Sequence, residues 1–566
     1  MADTPLPPAD TAPILAQLTT APGFERLREL ASDGVDEAML AAILEEAAKF
    51  AAGRLAPFNV DADRVGCRIE GGRVKTAPGH KAAWDAYREA GWMGLDQGEE
   101  IGGQGLPVCV LAACTEVFDR SCVAFGMAPT GQRAACRLLA AHAEESIKAE
   151  WLPRLVSGEW AATIVISEPE AGSDVGRIRS MAKPLDDGEW EITGEKIWIS
   201  YGDNDLTARI GHCLLARTPD AAPGAAGLSL FLVPSVLDDG TRNAIAVRRL
   251  EEKMGLHGSP TCALGFEGAR GRLIGQVGRG LAALFTMITT MRLMVAVQGL
   301  AIASGATDVA FAYAAERRQG GRPDAPATPI IDHADVQRML LGMASRVAAL
   351  RGVILAAAVA ADRSRLESDP AVREEQASLA GWLLPIAKTF GGEIAFDTAS
   401  DAIQVLGGAG YVRDWPVEQM LRDCRVFTVF EGTSGIQALD LLQRRLRGRD
   451  GGAGFKAFMA LARADTSGSD EQAGVLGRVL DLLDDAAAKL ADPAAGDAGA
   501  YAFLKLAALA ATGWSALHLT RQADNKLRAA GAYWLADLEG RAVLEHGRAL
   551  AEGERVKLFE DMRPRH

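Results

Sequence analysis

The sequence has few of the residues that build metal clusters or disulfide frameworks. It contains 8 cysteines and 8 histidines in 566 residues. The cysteines are spread from Cys67 to Cys424, and none of them forms a CxxC pair. Paired cysteines are typical of zinc sites and of small secreted domains held by disulfides. We therefore expect isolated thiols in a reducing compartment, no zinc cluster and no other bound metal.

Basic residues are also in the minority. The chain has 60 Lys and Arg against 74 Asp and Glu, a formal net charge of -14, and no basic run stands out. A protein that binds a phosphate backbone needs a basic surface. The charge balance therefore excludes a nucleic-acid partner.

A secretory signal and a long membrane span are not evident either. Residues 1–13, MADTPLPPADTAP, have neither a cationic start nor an apolar core, so we expect a cytoplasmic protein. The most apolar run, Leu293 to Thr307, contains Gln298 and is flanked by Arg292 and Asp308. It is shorter than the roughly 20 residues that a span requires. We interpret it as a buried core helix and expect no membrane span.

What the sequence does contain is a change of hydrophobic period. Apolar residues recur at helical spacing from Val35 to about Ser157. From Glu159 to near Gly278 the pattern changes to short β-branched and aromatic runs separated by turns, which is typical of a barrel or sandwich. Long helical patterns then return, including one over Pro416 to Arg445. We predict a mainly α chain with a central β-domain, divided into an N-terminal lead (1–34), an N-terminal helical domain (35–158), a middle β-domain (159–278), a helical bundle (279–447) and, after a Gly-rich linker, a C-terminal helical extension (455–566).

Five short stretches of the sequence are specific enough to indicate a protein family. In chain order they are SEPEAGSD at 167–174, TGEKIWIS at 193–200, AERRQGG at 315–321, QVLGGAGY at 404–411 and FEGTSGIQ at 430–437. Together they resemble the acyl-CoA dehydrogenase family of flavoproteins, over about residues 40 to 445. The extra C-terminal helices and EEKMGLHGSPT at 251–261 are similar to a larger bacterial subgroup that includes 3-methylthiopropanoyl-CoA dehydrogenases.

The resemblance implies an N-terminal α-domain, a middle β-barrel, a C-terminal helical bundle and an FAD cofactor. It also implies α,β-dehydrogenation of an acyl-CoA to a trans-2-enoyl-CoA, in which a base removes the α-proton and the β-hydride passes to flavin N5. Glu431 is the predicted base, although a carboxylate before a helix is, taken alone, more often a solvated helix-entry residue. Some relatives place the base immediately before the arginine that matches Arg292, where this chain has Met291. A thioether cannot accept the proton, which favours Glu431 and an unbranched or lightly branched acyl chain.

By the same resemblance, FAD contacts come from the β-domain and from the helical bundle. Trp198 would pack on the isoalloxazine and Ser200 would reach the N5 region, although an indole between polar strands is in general more often core. Arg317 and the glycines near residue 407 match positions that reach the FAD pyrophosphate of a neighbouring subunit. The predicted FAD set is Ile166, Ser167, Gly172, Ser173, Trp198, Ser200, Arg317, Gln404, Gly407, Gly408 and Thr433. The predicted substrate contacts are Ser173, Arg292 and Gly432.

An FAD site shared between chains implies a homo-oligomer. In larger relatives such extra C-terminal helices cover the dimer in place of a second dimer, so the resemblance implies a homodimer and not a tetramer. Gln319 and Gly320 replace a Thr-Phe pair common in smaller relatives, so we expect different packing on the adenine side. The expected electron acceptor is an electron-transferring flavoprotein.

Two other functions fit parts of the pattern. An acyl-CoA oxidase or related flavin oxidase would share the fold and pass electrons to O2. A catalytically silent scaffold would use the C-terminal helices to bind a partner and would carry no flavin. The acyl group is not fixed by the sequence, and 3-methylthiopropanoyl, short straight, aromatic and branched chains all stay open.

Overall fold

The fold was analysed in a computed structural model, which describes residues 6–31, 35–467 and 470–564. The strands in it are β1 (Arg68–Glu70), β2 (Arg73–Lys75), β3 (Ala161–Val165), β4 (Met181–Pro184), β5 (Trp190–Ser200), β6 (Ile210–Arg217), β7 (Leu228–Pro234), β8 (Ile245–Leu250) and β9 (Thr261–Ile274). The α-helices are α1 (Ala12–Thr19), α2 (Phe24–Leu30), α3 (Glu37–Phe50), α4 (Ala56–Val65), α5 (His80–Glu89), α6 (Val108–His142), α7 (Glu145–Val156), α8 (Gly280–Glu316), α9 (Ala334–Leu366), α10 (Pro370–Leu406), α11 (Val417–Cys424), α12 (Ser434–Leu439), α13 (Ala453–Asp465), α14 (Glu471–Leu490), α15 (Ala500–Thr520), α16 (Asn525–Ala536) and α17 (Leu538–Arg555).

These elements form two compact units. The barrel unit comprises residues 49–106 and 121–294, and the bundle unit comprises the described residues within 1–48, 107–120 and 295–566. The limits of the five segments predicted from the sequence stay predictions, because this division follows packing and not the order of the chain.

The barrel unit is built around a sheet that closes on itself. Its strands pair in the order β6, β4, β5, β9 and β7, and β7 pairs with β6 again. Strand β3 extends the ring by pairing in parallel with β6, and β8 pairs with β9. Closure removes the unpaired edges that an open sheet would expose. The predicted mainly α fold with a central β-barrel is confirmed.

The amino-acid sequence of strand β6 is an almost continuous apolar run, and the packing of the strand explains why. Leu214 and Ala216 point into the barrel core, where they pack with Phe231 and Leu264. The alternate residues, such as Leu215, belong to the core formed with α6, α7 and α8. Both faces of the strand are therefore buried, and the alternation of polar and apolar residues expected for a half-exposed strand is absent.

In the bundle unit, the predicted C-terminal extension packs directly on the bundle helices. Helix α13 lies on α10, and α15 and α16 lie on α9. Trp382 of α10 contacts the rings of Phe455 and Phe503, with centroids 5.2 and 6.3 Å away. A side chain at Gly454 would lie 2.3 Å from the carbonyl oxygen of Ser378, so only glycine allows this approach. The extension therefore shares a core with the bundle.

Within the predicted N-terminal lead, the structure contains two short helices. Helices α1 and α2 occupy this stretch and bury Leu18 and Leu27 fully. Gln17 donates to the Ala348 carbonyl at 2.8 Å and accepts from Arg351 at 2.7 Å, which anchors α1 on α9. The apolar residues are too few to give a clear period, and tertiary contacts supply the rest of the stability.

Three described helices are long and apolar enough to cross a membrane, namely α8, α9 and α15. In the most apolar part of each, 67%, 83% and 89% of the residues are buried within the protein. Such burial is typical of core helices, and the absence of a span stays a prediction.

Candidate active site

In the barrel unit, the segment after β3 lies against β5. The carbonyl of Ile166 accepts from the Lys196 ammonium at 2.9 Å, and the carbonyl of Ser167 accepts from the Ile197 amide at 2.9 Å. Thr163 of β3 donates to the carbonyl of Ser200 at 2.7 Å. The structure thus brings together the predicted FAD residues Ile166, Ser167, Trp198 and Ser200.

A buried ion pair fixes this segment, and the sequence reasoning did not identify it. Lys196 is fully buried and contacts the Glu168 carboxylate at 2.9 Å. Glu168 also accepts from the amides of Arg179 and Ser180. Burial lowers the pKa of Lys196 to about 8, against the opposing effect of Glu168. Burial alone would raise the pKa of Glu168, but Lys196 and the hydrogen bonds hold it below its usual value.

Both members of this pair lie inside stretches that carry the family resemblance, SEPEAGSD and TGEKIWIS. Their position inside these two stretches is the signal from which the pair could have been identified in the sequence. The pair holds the backbone of this segment against β5, where the predicted FAD residues lie.

Trp198 is exposed by an irregularity in β5. The register between β5 and β9 shifts between Lys196 and Ile199, and Trp198 adopts a φ of 62°. Because the shift adds a residue on one strand, Lys196 and Ile199 both point inward while the indole points out and is 58% exposed. An indole between polar strands is in general more often a core residue. In this chain Trp198 is not one, because its ring is exposed.

Gly172 and Ser173 lie further along the same segment and are exposed. A side chain added at Gly172 would meet no atom within 4 Å. Its backbone φ does not require glycine either, since Gly172 is not among the residues at positive φ. No contact with a described residue therefore explains why this position is a glycine, and the space beside it is available to a ligand.

On α8, Arg292 and Met291 are both buried. Met291 belongs to the core that α8 forms with α6, α7 and the barrel strands. The position at which some relatives carry their base is therefore filled by an apolar core residue. The predicted substrate contact of Arg292 stays a prediction.

In the bundle unit, the predicted pyrophosphate residues lie at the ends of two helices. Arg317 follows α8, Gln404 is in the last turn of α10, and Gly407 and Gly408 begin the 3-10 helix Gly407–Tyr411. All four are exposed. Gly407 has a φ of 61°, and neither glycine has an atom within 4 Å of an added side chain.

A ring contact links these two helix ends. Tyr313, whose carbonyl accepts from the Arg317 amide at 2.8 Å, contacts Trp415 edge-on with centroids 5.0 Å apart. The turn that carries Arg317 and the segment that follows Gly408 are therefore held near each other.

Glu431 lies in a loop and not on the continuous helix predicted over Pro416 to Arg445. Helix α11 ends at Cys424, the 3-10 helix Arg425–Thr428 follows, and α12 begins at Ser434. Glu431 has a φ of 53° and Gly432 a φ of 91°, which no α-helix accommodates. Glu431, Gly432 and Thr433 are half-buried. Thr433 caps α12 by accepting from the Ile436 amide at 3.3 Å, and its FAD contact stays a prediction.

Two buried side chains bind the backbone of this loop, which we call the Glu431 loop (residues 425–433). Lys388 of α10 donates to the carbonyl of Gly432 at 2.7 Å. Gln437 donates to the carbonyl of Glu431 at 3.0 Å. In the sequence, Gln437 is only the last residue of a matching stretch, and no pattern indicates a role for Lys388. Among the described residues, no group of three or more His, Cys, Asp or Glu side chains could hold a metal ion.

Comparisons with known proteins agree on one family. The models described as acyl-CoA dehydrogenase N-terminal, middle and C-terminal domains match residues 38–159, 163–269 and 278–446. A 3-methylmercaptopropionyl-CoA dehydrogenase of Ruegeria pomeroyi is 37% identical over 520 residues, which cover 88% of this chain and 88% of the relative.

Two solved structures show how far the fold extends. Caenorhabditis elegans ACDH-11 in complex with C11-CoA has a TM-score of 0.82 at 20% identity, covering 100% of this chain and 97% of that one. An acyl-CoA dehydrogenase from Bacillus anthracis complexed with FAD has a TM-score of 0.77 at 19% identity, covering 94% and 92%. At these identities the two matches show the fold alone.

Proposed function

Because the chain belongs to the acyl-CoA dehydrogenase family, we propose that it is an FAD-dependent oxidoreductase that converts an acyl-CoA into its trans-2-enoyl-CoA. Its substrate class follows from the family. The single observation that carries the assignment of the base is the conformation of Glu431, a non-glycine residue held at a φ of 53°. Residues in sparsely populated backbone regions cluster at functional sites, because the surrounding structure must hold them there.

FAD fits the residues that would hold it. An exposed indole offers an apolar face to a flat ring, and the open space at Gly172, Gly407 and Gly408 leaves backbone accessible to a ligand. Arg317 is exposed, and a guanidinium can bond two phosphate oxygens at once. When bound, FAD supplies the acceptor for the hydride that leaves the β-carbon.

The chain's own residues supply the proton chemistry. Glu431 accepts the α-proton of the thioester, and Met291 leaves it without a competing base at the position used by some relatives. The Glu431 loop supplies a backbone amide to the thioester carbonyl as negative charge develops on its oxygen. Arg292 contacts the CoA part of the substrate. Serine at position 200 keeps a hydroxyl near the flavin.

The decisive experiment is anaerobic reduction of the bound flavin. Mixing the purified protein with a panel of acyl-CoAs, including 3-methylthiopropanoyl-CoA and straight chains of several lengths, should bleach the flavin absorbance. Glu431→Gln should slow bleaching by about 10³-fold or more while FAD stays bound, because the amide cannot accept a proton. Glu375→Gln, an exposed residue of α10, is the matched control and should react normally. If no acyl-CoA bleaches the bound flavin, the proposed function is wrong. If Glu431→Gln stays active, another residue is the base.

We propose an electron-transferring flavoprotein as the acceptor, as is usual in the family. The reduced protein should then reoxidise slowly in air and quickly on addition of that carrier. Rapid formation of hydrogen peroxide during turnover would instead identify an oxidase. The substrate preference within the panel is open, and the 37% identity to a 3-methylmercaptopropionyl-CoA dehydrogenase makes that thioester the first to test.

A further inference from the structure

The strained backbone at Glu431 has to be held by its surroundings. A non-glycine residue in the left-handed region costs of the order of 1 kcal/mol or more, so the conformation persists only where neighbouring contacts fix it. On one side, the amides of Val429 and Phe430 bond back to the Val426 carbonyl at 2.8 and 3.1 Å. On the other side, Thr433 caps α12. Between these anchors lie the carbonyls of Glu431 and Gly432, and each accepts from a buried side chain.

Lys388 makes the shorter of these two bonds. Its side chain is fully buried, and its ammonium lies 2.7 Å from the carbonyl oxygen of Gly432. Burying an ammonium is costly, and an apolar side chain of the same length would fill the space without that cost. What only the ammonium supplies is a charge-assisted donor, and such bonds are about twice as strong as neutral ones.

Helix α10 also contacts the loop on the other side of Glu431. Gly392 follows Lys388 by one helical turn and therefore lies on the same face of α10. A side chain at Gly392 would lie 3.0 Å from the carbonyl carbon of Phe427 and 3.1 Å from the amide nitrogen of Thr428. One face of α10 thus touches the chain both before and after Glu431.

Gln437 supports the same loop from α12. It is fully buried, and its amide nitrogen lies 3.0 Å from the Glu431 carbonyl and 3.5 Å from the Gly432 carbonyl. The two peptide planes that follow the strained residue are therefore oriented by side chains from two different helices.

We propose that Lys388 is a positioning residue, which holds the Glu431 loop in the conformation that aims the base, with Gln437 as a second support. The proposal rests on the assignment of Glu431 as the base. It concerns the orientation of the two peptides that follow Glu431 and does not make Lys388 a proton donor or acceptor. Misplacing a reacting group by about 1 Å can cost about 10²-fold in rate, which sets the scale of the effect.

The first test measures flavin reduction by the acyl-CoA that reacts best with the wild-type holoenzyme. Lys388→Met should lower the rate constant at saturating substrate by about 10- to 100-fold, while the acyl-CoA concentration for half-saturation changes by less than about threefold. Lys388→Arg, which keeps a cationic donor, should recover part of the loss. Thr389→Val is the matched control, because Thr389 is the fully buried neighbour on α10 and its hydroxyl has no partner among the described residues.

The second test does not depend on turnover. Hydrogen–deuterium exchange of the full-length holoprotein, followed by mass spectrometry of peptides covering residues 425–439, should be about tenfold faster in Lys388→Met than in wild type and unchanged in Thr389→Val. A wild-type protein that no acyl-CoA reduces would refute the proposed function and leave this exchange test intact. If Lys388→Met does not fold, Gln437→Met carries both measurements. Wild-type reduction and wild-type exchange in a folded variant would overturn the proposal.

Discussion

Trp198 illustrates how a single irregularity in a strand exposes a large aromatic side chain. In a regular strand, residues 196 and 198 would share a face, and the indole would join the barrel core beside Lys196. The register shift places two residues of β5 against a shorter stretch of β9, so the indole turns outward. A large exposed aromatic ring contributes little to the fold of the chain itself, but it offers a surface on which a flat cofactor can stack.

We therefore predict that Trp198→Ala weakens FAD binding without destabilising the FAD-free protein. Losing an aromatic stacking contact of about 1 to 1.5 kcal/mol should raise the dissociation constant of FAD roughly tenfold. Because the side chain is 58% exposed, the melting temperature of the FAD-free protein should stay within about 2 °C of wild type. Fluorescence titration with FAD and thermal unfolding give the two values. A lower melting temperature with unchanged FAD affinity would show that the ring is structural.

At the scale of an element, strand β6 carries a titratable residue, His212, in a buried and apolar environment. His212 is almost fully buried, and its ring contacts Phe266 edge-on with centroids 5.9 Å apart. Burial lowers the pKa of His212 to about 3. In the unfolded chain the same imidazole titrates at about 6.5. The folded strand therefore contains a neutral histidine under conditions where the unfolded chain would be protonated.

This difference predicts that the barrel unit loses stability in mild acid. Between about pH 6.5 and pH 3 the unfolded state binds a proton that the folded state does not, so the free energy of unfolding falls as the pH falls through this window. From pH 7 to pH 5, His212 alone should account for a loss of about 2 kcal/mol. Urea unfolding at several pH values should show a shallower pH dependence in His212→Leu than in wild type. His333→Gln, in the bundle unit, is the control, and an equal slope in all three proteins would contradict the prediction.

The elements also show where sequence reasoning succeeds and where it stops. The barrel strands and the long helices were predictable, because their hydrophobic periods extend over many residues. The break at Glu431 was not, because the flanking apolar residues continue the helical spacing through it. Lys388 was missed for a different reason. Its role depends on a contact with Gly432, 44 residues further along the chain, and spacing along the sequence carries no information about such a contact.

For the whole molecule, the position of the predicted pyrophosphate residues is the informative feature. Lys388 binds the Glu431 loop, whereas Gln404 lies 16 residues further along α10, which corresponds to about 24 Å of helix. Arg317, Gln404, Gly407 and Gly408 are all exposed in this chain, and no described residue covers the two glycines. Exposed residues of this kind are what a site shared with a second chain would require.

We predict a homodimer in which Arg317 contributes to the FAD site of its partner. Light scattering should give the mass of about two 59.7-kDa chains. Arg317→Ala should raise the dissociation constant of FAD by about 10- to 100-fold, the value of a charged hydrogen-bonding contact, and leave the mass unchanged. The neighbouring exposed residue gives the control, Arg318→Ala, which should bind FAD normally. A mass near that of four chains would contradict the dimer. Normal FAD affinity in Arg317→Ala would show that this arginine does not contact FAD.

The left-handed backbone at Glu431, the base that we propose, also makes stability and catalysis compete at this position. Glycine reaches that region without the steric conflict of a β-carbon, so glycine at position 431 would relieve strain while the loop kept its course. Selection for thermal stability alone would therefore drive this position toward glycine and yield a sturdier, inert protein. A directed-evolution experiment that selects for heat resistance therefore has to measure turnover at every round. The substitution at this residue that stabilises the fold most, Glu431→Gly, also removes the proposed base.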